Sequence, residues 1–218
     1  MGRGLGVQTH TLLRIAGAAV LAGAAPAPAW VGASLRATPW VVVRRAERRA
    51  GSIPVGVRGA ARAQRFAAWL QPQDVLEAVS APQLAQRRAW VGHARAAEVP
   101  ALAALEAVAT IMAAHALHER WGPAGSVAFE LASRQATASA HSDLDLVIEL
   151  AAPLAVRAAA RLLRELGALA VRVDALLETP RGGVALAEVS RGRPPYRLRT
   201  AHGSCLTDDP WAGAVAAA

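Results

Sequence analysis

Asp143-Leu144-Asp145-Leu146 sets two carboxylates two residues apart in an apolar stretch. On a β-strand, residues i and i+2 project from one face, so both acids point to one place while the leucines pack behind. Two carboxylates that close repel unless something cationic lies between them. Mg2+ suits that position, because it takes hard oxygen ligands, keeps several waters and shares one or two carboxylates with substrate phosphates. Val147-Ile148 follows directly and argues against a strand that merely shows its acids to water. Gly125-Ser126 supplies a close backbone approach, N–H groups and a hydroxyl for phosphate oxygens. Asp174 in Val171-Arg-Val-Asp-Ala-Leu adds a third carboxylate. Three carboxylates can hold two metal ions roughly 3.5–4 Å apart, and Asp174 is also a candidate base for an attacking hydroxyl. Its plain alternative is a strand-end acid paired with Arg172 or Arg181.

The elements that must position these residues follow from periodicity and turn signals. Ala101 to Arg120 reads as a helix, with Leu102, Leu105, Val108, Ala109 and Met112 three or four apart. Ser126–Leu131 and Asp143–Leu150 read as strands, which would put Glu130 on the same side as Ser126. Residues 153–166 read as an amphipathic helix, and 171–177, 183–189 and 196–200 as strands. The order α-β-β-α-β-β-β indicates a small mixed α/β domain. Upstream, Trp40–Val43 and Ser52–Gly59 read as strands and 72–98 as helical, with Arg62, Gln64, Arg65 and Trp69 between them. The best boundary is Glu98-Val99-Pro100. It divides a smaller basic amino-terminal domain, 1–98, from a catalytic domain, 99–218.

Charge separates the same two halves. The chain has 218 residues and no lysine, and all 24 of its basic residues are arginine. Residues 1–100 carry 13 arginines against four acids, and residues 101–218 carry 11 against 12. A positive half beside a carboxylate-bearing half suits a polyphosphate ligand or an acidic protein partner. Nothing in the pattern asks for nucleic acid. Arg58, between Gly56 and Gly59, is the first candidate for phosphate binding, with Arg44 and Arg45 next, because guanidinium forks hold phosphate oxygens in pairs. Cys205 is the only cysteine, which excludes an intramolecular disulfide and a thiolate zinc site and fits the reducing cytoplasm. Arg3 and the apolar run Leu12 to Ala25 imitate a signal peptide, but Arg14 interrupts the run, which is too short to span a bilayer.

The succession of Gly-Ser, Asp-x-Asp and a later strand Asp resembles the nucleotidyltransferase superfamily that includes DNA polymerase β. The sequence departs from it in the longer spacing between Ser126 and Asp143. A closer resemblance accounts for the extra loop. Arg120-Trp-Gly-Pro-Ala-Gly-Ser-Val-Ala-Phe-Glu-Leu-Ala-Ser followed by Ser142-Asp-Leu-Asp-Leu looks like the phosphoribosyl-dephospho-CoA transferases of bacterial malonate decarboxylase systems. So do Val173-Asp-Ala-Leu-Leu-Glu-Thr-Pro-Arg-Gly-Gly-Val-Ala-Leu-Ala-Glu, Leu198-Arg-Thr with Asp209-Pro-Trp, Pro39-Trp-Val-Val-Val-Arg-Arg-Ala, and Val55-Gly-Val-Arg-Gly with Arg62 and Arg65. The resemblance implies an enzyme that moves the phosphoribosyl-dephospho-CoA group from 2′-(5″-triphosphoribosyl)-3′-dephospho-CoA to a serine of the acyl carrier protein of malonate decarboxylase, with release of pyrophosphate.

Two other readings stay open at this stage. One is a nucleotidyltransferase that adds AMP to a protein, an antibiotic or RNA. The other is a non-enzymatic basic binding module on a degenerate domain. Retention of Gly125, Ser126, Asp143, Asp145 and Asp174 together argues against the latter, since a bare acid cluster is unfavourable without its cation.

Overall fold

The computed structural model describes residues 7–23, 25–61 and 63–212. Arg3, Ala24 and Arg62 lie outside the described residues. The chain is mixed α/β and divides into two units, Met1–Ser80 and Ala81–Ala218.

In the first unit, apolar residues alternate with polar or small ones, and the result is an all-antiparallel six-stranded sheet. Its strands are β1 (Leu12–Ile15), β2 (Leu21–Gly23), β3 (Trp40–Val43), β4 (Ile53–Arg58), β5 (Arg65–Leu70) and β6 (Val75–Val79), in the order β2-β5-β4-β3-β1-β6. Helix α1 (Ala29–Ala37) contributes Val31 and Leu35 to a core with Leu13, Ile15, Val41, Val43, Ile53, Val55, Val57 and Leu70. The apolar run near the amino terminus thus builds an interior strand. Leu13 and Ile15 face the core, while Arg14 turns outward and its Nε donates to Glu77 at 3.0 Å. No helix among the described residues is long and apolar enough to cross a membrane.

The second unit holds α2 (Ala81–Gln86), α3 (Pro100–Ala103), α4 (Leu105–Ala114), β7 (Trp121–Pro123), α5 (Gly125–Ser133), β8 (Leu144–Glu149), α6 (Val156–Gly167), β9 (Val173–Thr179), β10 (Gly182–Ala185), α7 (Leu186–Val189), β11 (Tyr196–Thr200) and β12 (Gly203–Thr207). Its strands lie in the order β12-β11-β10-β9-β8-β7. The one parallel pair is β8 with β9, as the intervening helix α6 requires. His115, which caps the end of α4, and Glu165 on α6 approach to 2.8 Å and tie those helices together.

Several elements differ from those the sequence suggests. Residues 72–98 are not one helix: a 3-10 turn at Pro72–Asp74 leads into β6, which pairs with β1, and only Ala81–Gln86 is α-helical. The structural division accordingly falls at Ser80/Ala81 rather than at Glu98. The segment after it belongs to the second unit, where Ala81 clusters with Ala124 and Val147, and Trp90 packs at 5.9 Å on Trp121. The helix expected to reach Arg120 ends at Ala114, because Ala116 turns left-handed and Leu117 N–H closes on Met112 O. Ser126–Leu131 is helical, not extended. Five consecutive residues there, Val127 to Leu131, are buried, so the segment shows no amphipathic period to read. Residues 183–189 split between β10 and α7, and α1, β1, β2 and β12 lack a clear signal.

Gly122 makes the closest packing of the α2–β7 contact, since a methyl group there would run into the carbonyl of Ala81. Gly122→Ala is expected to destabilise the chain by about 1–3 kcal/mol. Urea unfolding measures this, and an unchanged midpoint would show that α2 is not held in this position.

Candidate active site

Strand β8 begins where the acids stand. Leu144 and Leu146 are buried at 0% and 1% exposure, whereas Asp143 and Asp145 are exposed, so the two acids share the side opposite the core. Parallel pairing sets Asp145 directly beside Asp174 of β9. Asp143, Asp145 and Asp174 therefore meet at one end of the β8–β9 pair.

The turn between β7 and α5 closes on the same place. Ala124 N–H donates to the Asp145 carbonyl at 2.8 Å. Gly125 adopts φ +60°, and a Cβ there would overlap the Asp145 carboxylate. Glycine is required at this position twice over, for the left-handed backbone and for the room. Gly125 and Ser126 open α5 rather than a strand, so their N–H groups belong to a helix N-terminus beside the acids. The Ser126 carbonyl accepts a 2.9 Å hydrogen bond from Thr137.

The long loop before Asp143 is fixed from beneath. Glu130 is 1% exposed on α5, not on a strand beside Ser126. Its carboxylate accepts Arg95 Nη1 at 2.7 and 2.8 Å and the N–H groups of Thr137 and Ala138 at 2.8 Å each, while Arg95 Nη2 also donates to Ala138 O at 3.0 Å. Burial pushes the Glu130 carboxyl upward, but the two amides and Arg95 outweigh it and hold it below its usual value. The acid that looked like a neighbour of the site is thus the anchor of the loop that enters it. Nothing in the sequence pattern marks Arg95 as its partner, 35 residues upstream.

Arg172 is the residue that sequence reasoning gave only a minor place. Its guanidinium lies 3.2 Å from Asp174 and 3.9 Å from Asp143, on a side chain 70% exposed. Among the described residues, no three His, Cys, Asp or Glu side chains form a ready metal cage. The donor set nonetheless fits Mg2+. It offers three carboxylates and no soft ligand, and its exposure leaves room for the waters and phosphate oxygens that this ion keeps. The exposed Arg172 side chain can swing aside.

A second pair of acids, Glu149 and Glu178, stands in register further along the same two strands. Burial, then the Glu178 charge, raise the Glu149 carboxyl, against a smaller lowering by Arg120. His141 is exposed and offers no built proton relay.

The arginines expected to bind phosphate all lie on the first unit. Arg44 is half-buried: its Nε donates to Val55 O at 3.0 Å and its guanidinium stands 5.9 Å from the Trp69 ring. Burial lowers its pKa. Arg45 is also half-buried, just past β3. Arg58 ends β4 directly opposite Arg65 of β5.

A mixed α/β chain with an aspartate cluster against a glycine turn defines a transferase of phosphorylated groups as the class to look for. Residues 83–210 match the family model described as Phosphoribosyl-dephospho-CoA transferase MdcG C-terminal domain, and residues 8–82 the corresponding N-terminal domain. A phosphoribosyl-dephospho-CoA transferase of Pseudomonas syringae pv. tomato is 40% identical over 185 residues, 85% of each chain. One from Pseudomonas aeruginosa is 37% identical over 217 residues, 97% of each chain, and one from Klebsiella pneumoniae 38% over 183 residues, 84% of this chain and 86% of its own. No solved structure matches the chain. The chain belongs to the phosphoribosyl-dephospho-CoA transferase family and is an enzyme.

Two outcomes test this geometry. Gly125→Ala is expected to cost about 10²-fold in transfer rate by displacing Asp145, with only about 1–2 kcal/mol lost in stability. Wild-type rates in that variant would remove the turn from the site. Because the Glu130 pKa is depressed, its contribution to stability is complete above the unfolded value near 4.5 and declines as pH falls below it. Glu130→Gln should lower stability at pH 7 by roughly 1–3 kcal/mol and flatten the acid limb of stability against pH. Parallel acid limbs for the two proteins would contradict it.

Proposed function

We propose that the chain transfers the phosphoribosyl-dephospho-CoA group from 2′-(5″-triphosphoribosyl)-3′-dephospho-CoA to a serine of the acyl carrier protein of malonate decarboxylase, in the cytoplasm. The observation that carries this reading is the register of β8 with β9, which puts Asp145 and Asp174 side by side under the Gly125 turn. Membership of the phosphoribosyl-dephospho-CoA transferase family supports this choice of transferred group.

In this reading the serine hydroxyl attacks the α-phosphorus of the triphosphate. A new P–O bond forms to the serine, the bond to the β-phosphate breaks, and pyrophosphate leaves. Asp174 would accept the hydroxyl proton. Asp143, Asp145 and Asp174 would hold Mg2+, which supplies positive charge for the triphosphate. The N–H groups of Gly125 and Ser126 offer donors to phosphate oxygens at the head of α5. Arg58, Arg44 and Arg45 of the first unit are candidates for phosphate binding because a guanidinium fork suits phosphate oxygens.

An AMP-adding nucleotidyltransferase would use the same acids, so substrate decides between the two. Incubating the chain with the carrier subunit, Mg2+ and the triphosphoribosyl precursor should raise the carrier's mass by the prosthetic group. Labelling by ATP alone would favour the other reading. Asp143→Asn and Asp145→Asn should each reduce transfer by at least about 10²-fold without unfolding the chain. Full activity in both would refute the role given to these acids.

A further inference from the structure

The near balance of charge in the second half hides a local run. From Ser190 to Thr207 there are four arginines, Arg191, Arg193, Arg197 and Arg199, and no acidic residue. All four are exposed, and two of them stand on β11 in the acid-bearing sheet.

Register places them. Leu176 of β9 pairs with Ala185 of β10, and Gly183 of β10 pairs with Arg199 of β11. Continuing the antiparallel register sets Arg197 beside Ala185. Paired residues project from the same face, so Arg197 and Arg199 stand on the face that carries Asp145, Asp174 and Glu178. The opposite face carries buried Leu177, Val184 and Leu198. Two strand spacings, about 10 Å, separate β11 from β9.

In the row of Arg197 toward β9 stand the small Ala185 and then Leu176, both half-buried, so the floor beside it is low. The Arg197 backbone is pinned, its N–H donating to Glu188 Oε2 at 2.6 Å. Among the described residues its guanidinium has no hydrogen-bond or ion-pair partner. Arg199 is less open, with Glu178 in its row beyond Gly183.

We propose that Arg197, supported by Arg199, binds a phosphoanhydride group of the substrate, across the low floor of β10 from the aspartates. This rests on the transfer reaction proposed above. The substrate holds two such groups, its triphosphate and the diphosphate of its dephospho-CoA part, and both suit a guanidinium fork.

The test uses the full chain with Arg197→Ala, Arg197→Lys and the double alanine variant at 197 and 199. Calorimetry follows inorganic tripolyphosphate and dephospho-CoA, and kinetics follow KM for the triphosphoribosyl precursor and for the carrier. Affinity for one probe should fall about tenfold in Arg197→Ala and further in the double variant, with Arg197→Lys between. The probe that weakens shows which group is held. KM for the precursor should rise by a similar factor while kcat stays within about twofold. Variants that bind both probes as wild type does with an unchanged KM for the precursor overturn the assignment. So does wild type that binds neither probe, or a rise confined to the carrier's KM. Arg197-dependent binding by a chain that never labels the carrier would support the phosphate site and sink the proposed reaction.

Discussion

Neighbouring strands of a sheet do not tolerate like charges side by side without compensation, yet β8 and β9 set Asp145 against Asp174 in register. That register is enforced from the other face. Leu144, Leu146, Ile148 and Leu177 are fully buried, and a slip by one residue would turn them to water and the acids into the core. The hydrophobic core thus compels the acids together at a point where they repel. The parallel sense of the pair requires a crossover, and α6, strongly amphipathic, provides it.

The approach to the acids is constrained as firmly as the acids themselves. Asp143 follows a loop that has no regular structure, and loops of that kind hold a residue in place only when their backbone groups find partners. Glu130 gives two of them theirs, the Thr137 and Ala138 amides, and Arg95 gives the Ala138 carbonyl a third. A buried carboxylate with three strong donors around it, Arg95 Nη1 and the Thr137 and Ala138 amides, is stable as an anion. The turn at Gly125 presses on Asp145 from the other side, so the acids stand between two elements whose geometry leaves little slack.

Much of this was legible from residue order alone. Asp143-Leu-Asp145-Leu announces its alternation, and the structure pairs it with the strand of Asp174. The mixed α/β class and the amphipathic helix between the two strands were equally readable. Helix α5 was not, because a segment buried all round shows no period, and Val-Ala-Phe-Glu-Leu suits a strand as well as a buried helix. Strand β6 lost its identity to Pro72 and Asp74, which imitate a helix start. The partnership of Glu130 with Arg95 spans 35 residues and leaves no local trace. Charge was misleading in a different way: counting by halves drew attention to the amino-terminal arginines and averaged away the run from Arg191 to Arg199.

Arg172 stands among the aspartates on a long, exposed side chain, within reach of two of them. A tethered cation of this kind acts as a stand-in: it is never lost to dilution, yet its hold is weak because water surrounds it. The fold is therefore spared the strain of naked negative charge, and in the proposed reaction an incoming Mg2+ would need only to dislodge a swivelling arm rather than assemble a cage. Loading and unloading of that ion would then be quick, at the expense of tight retention.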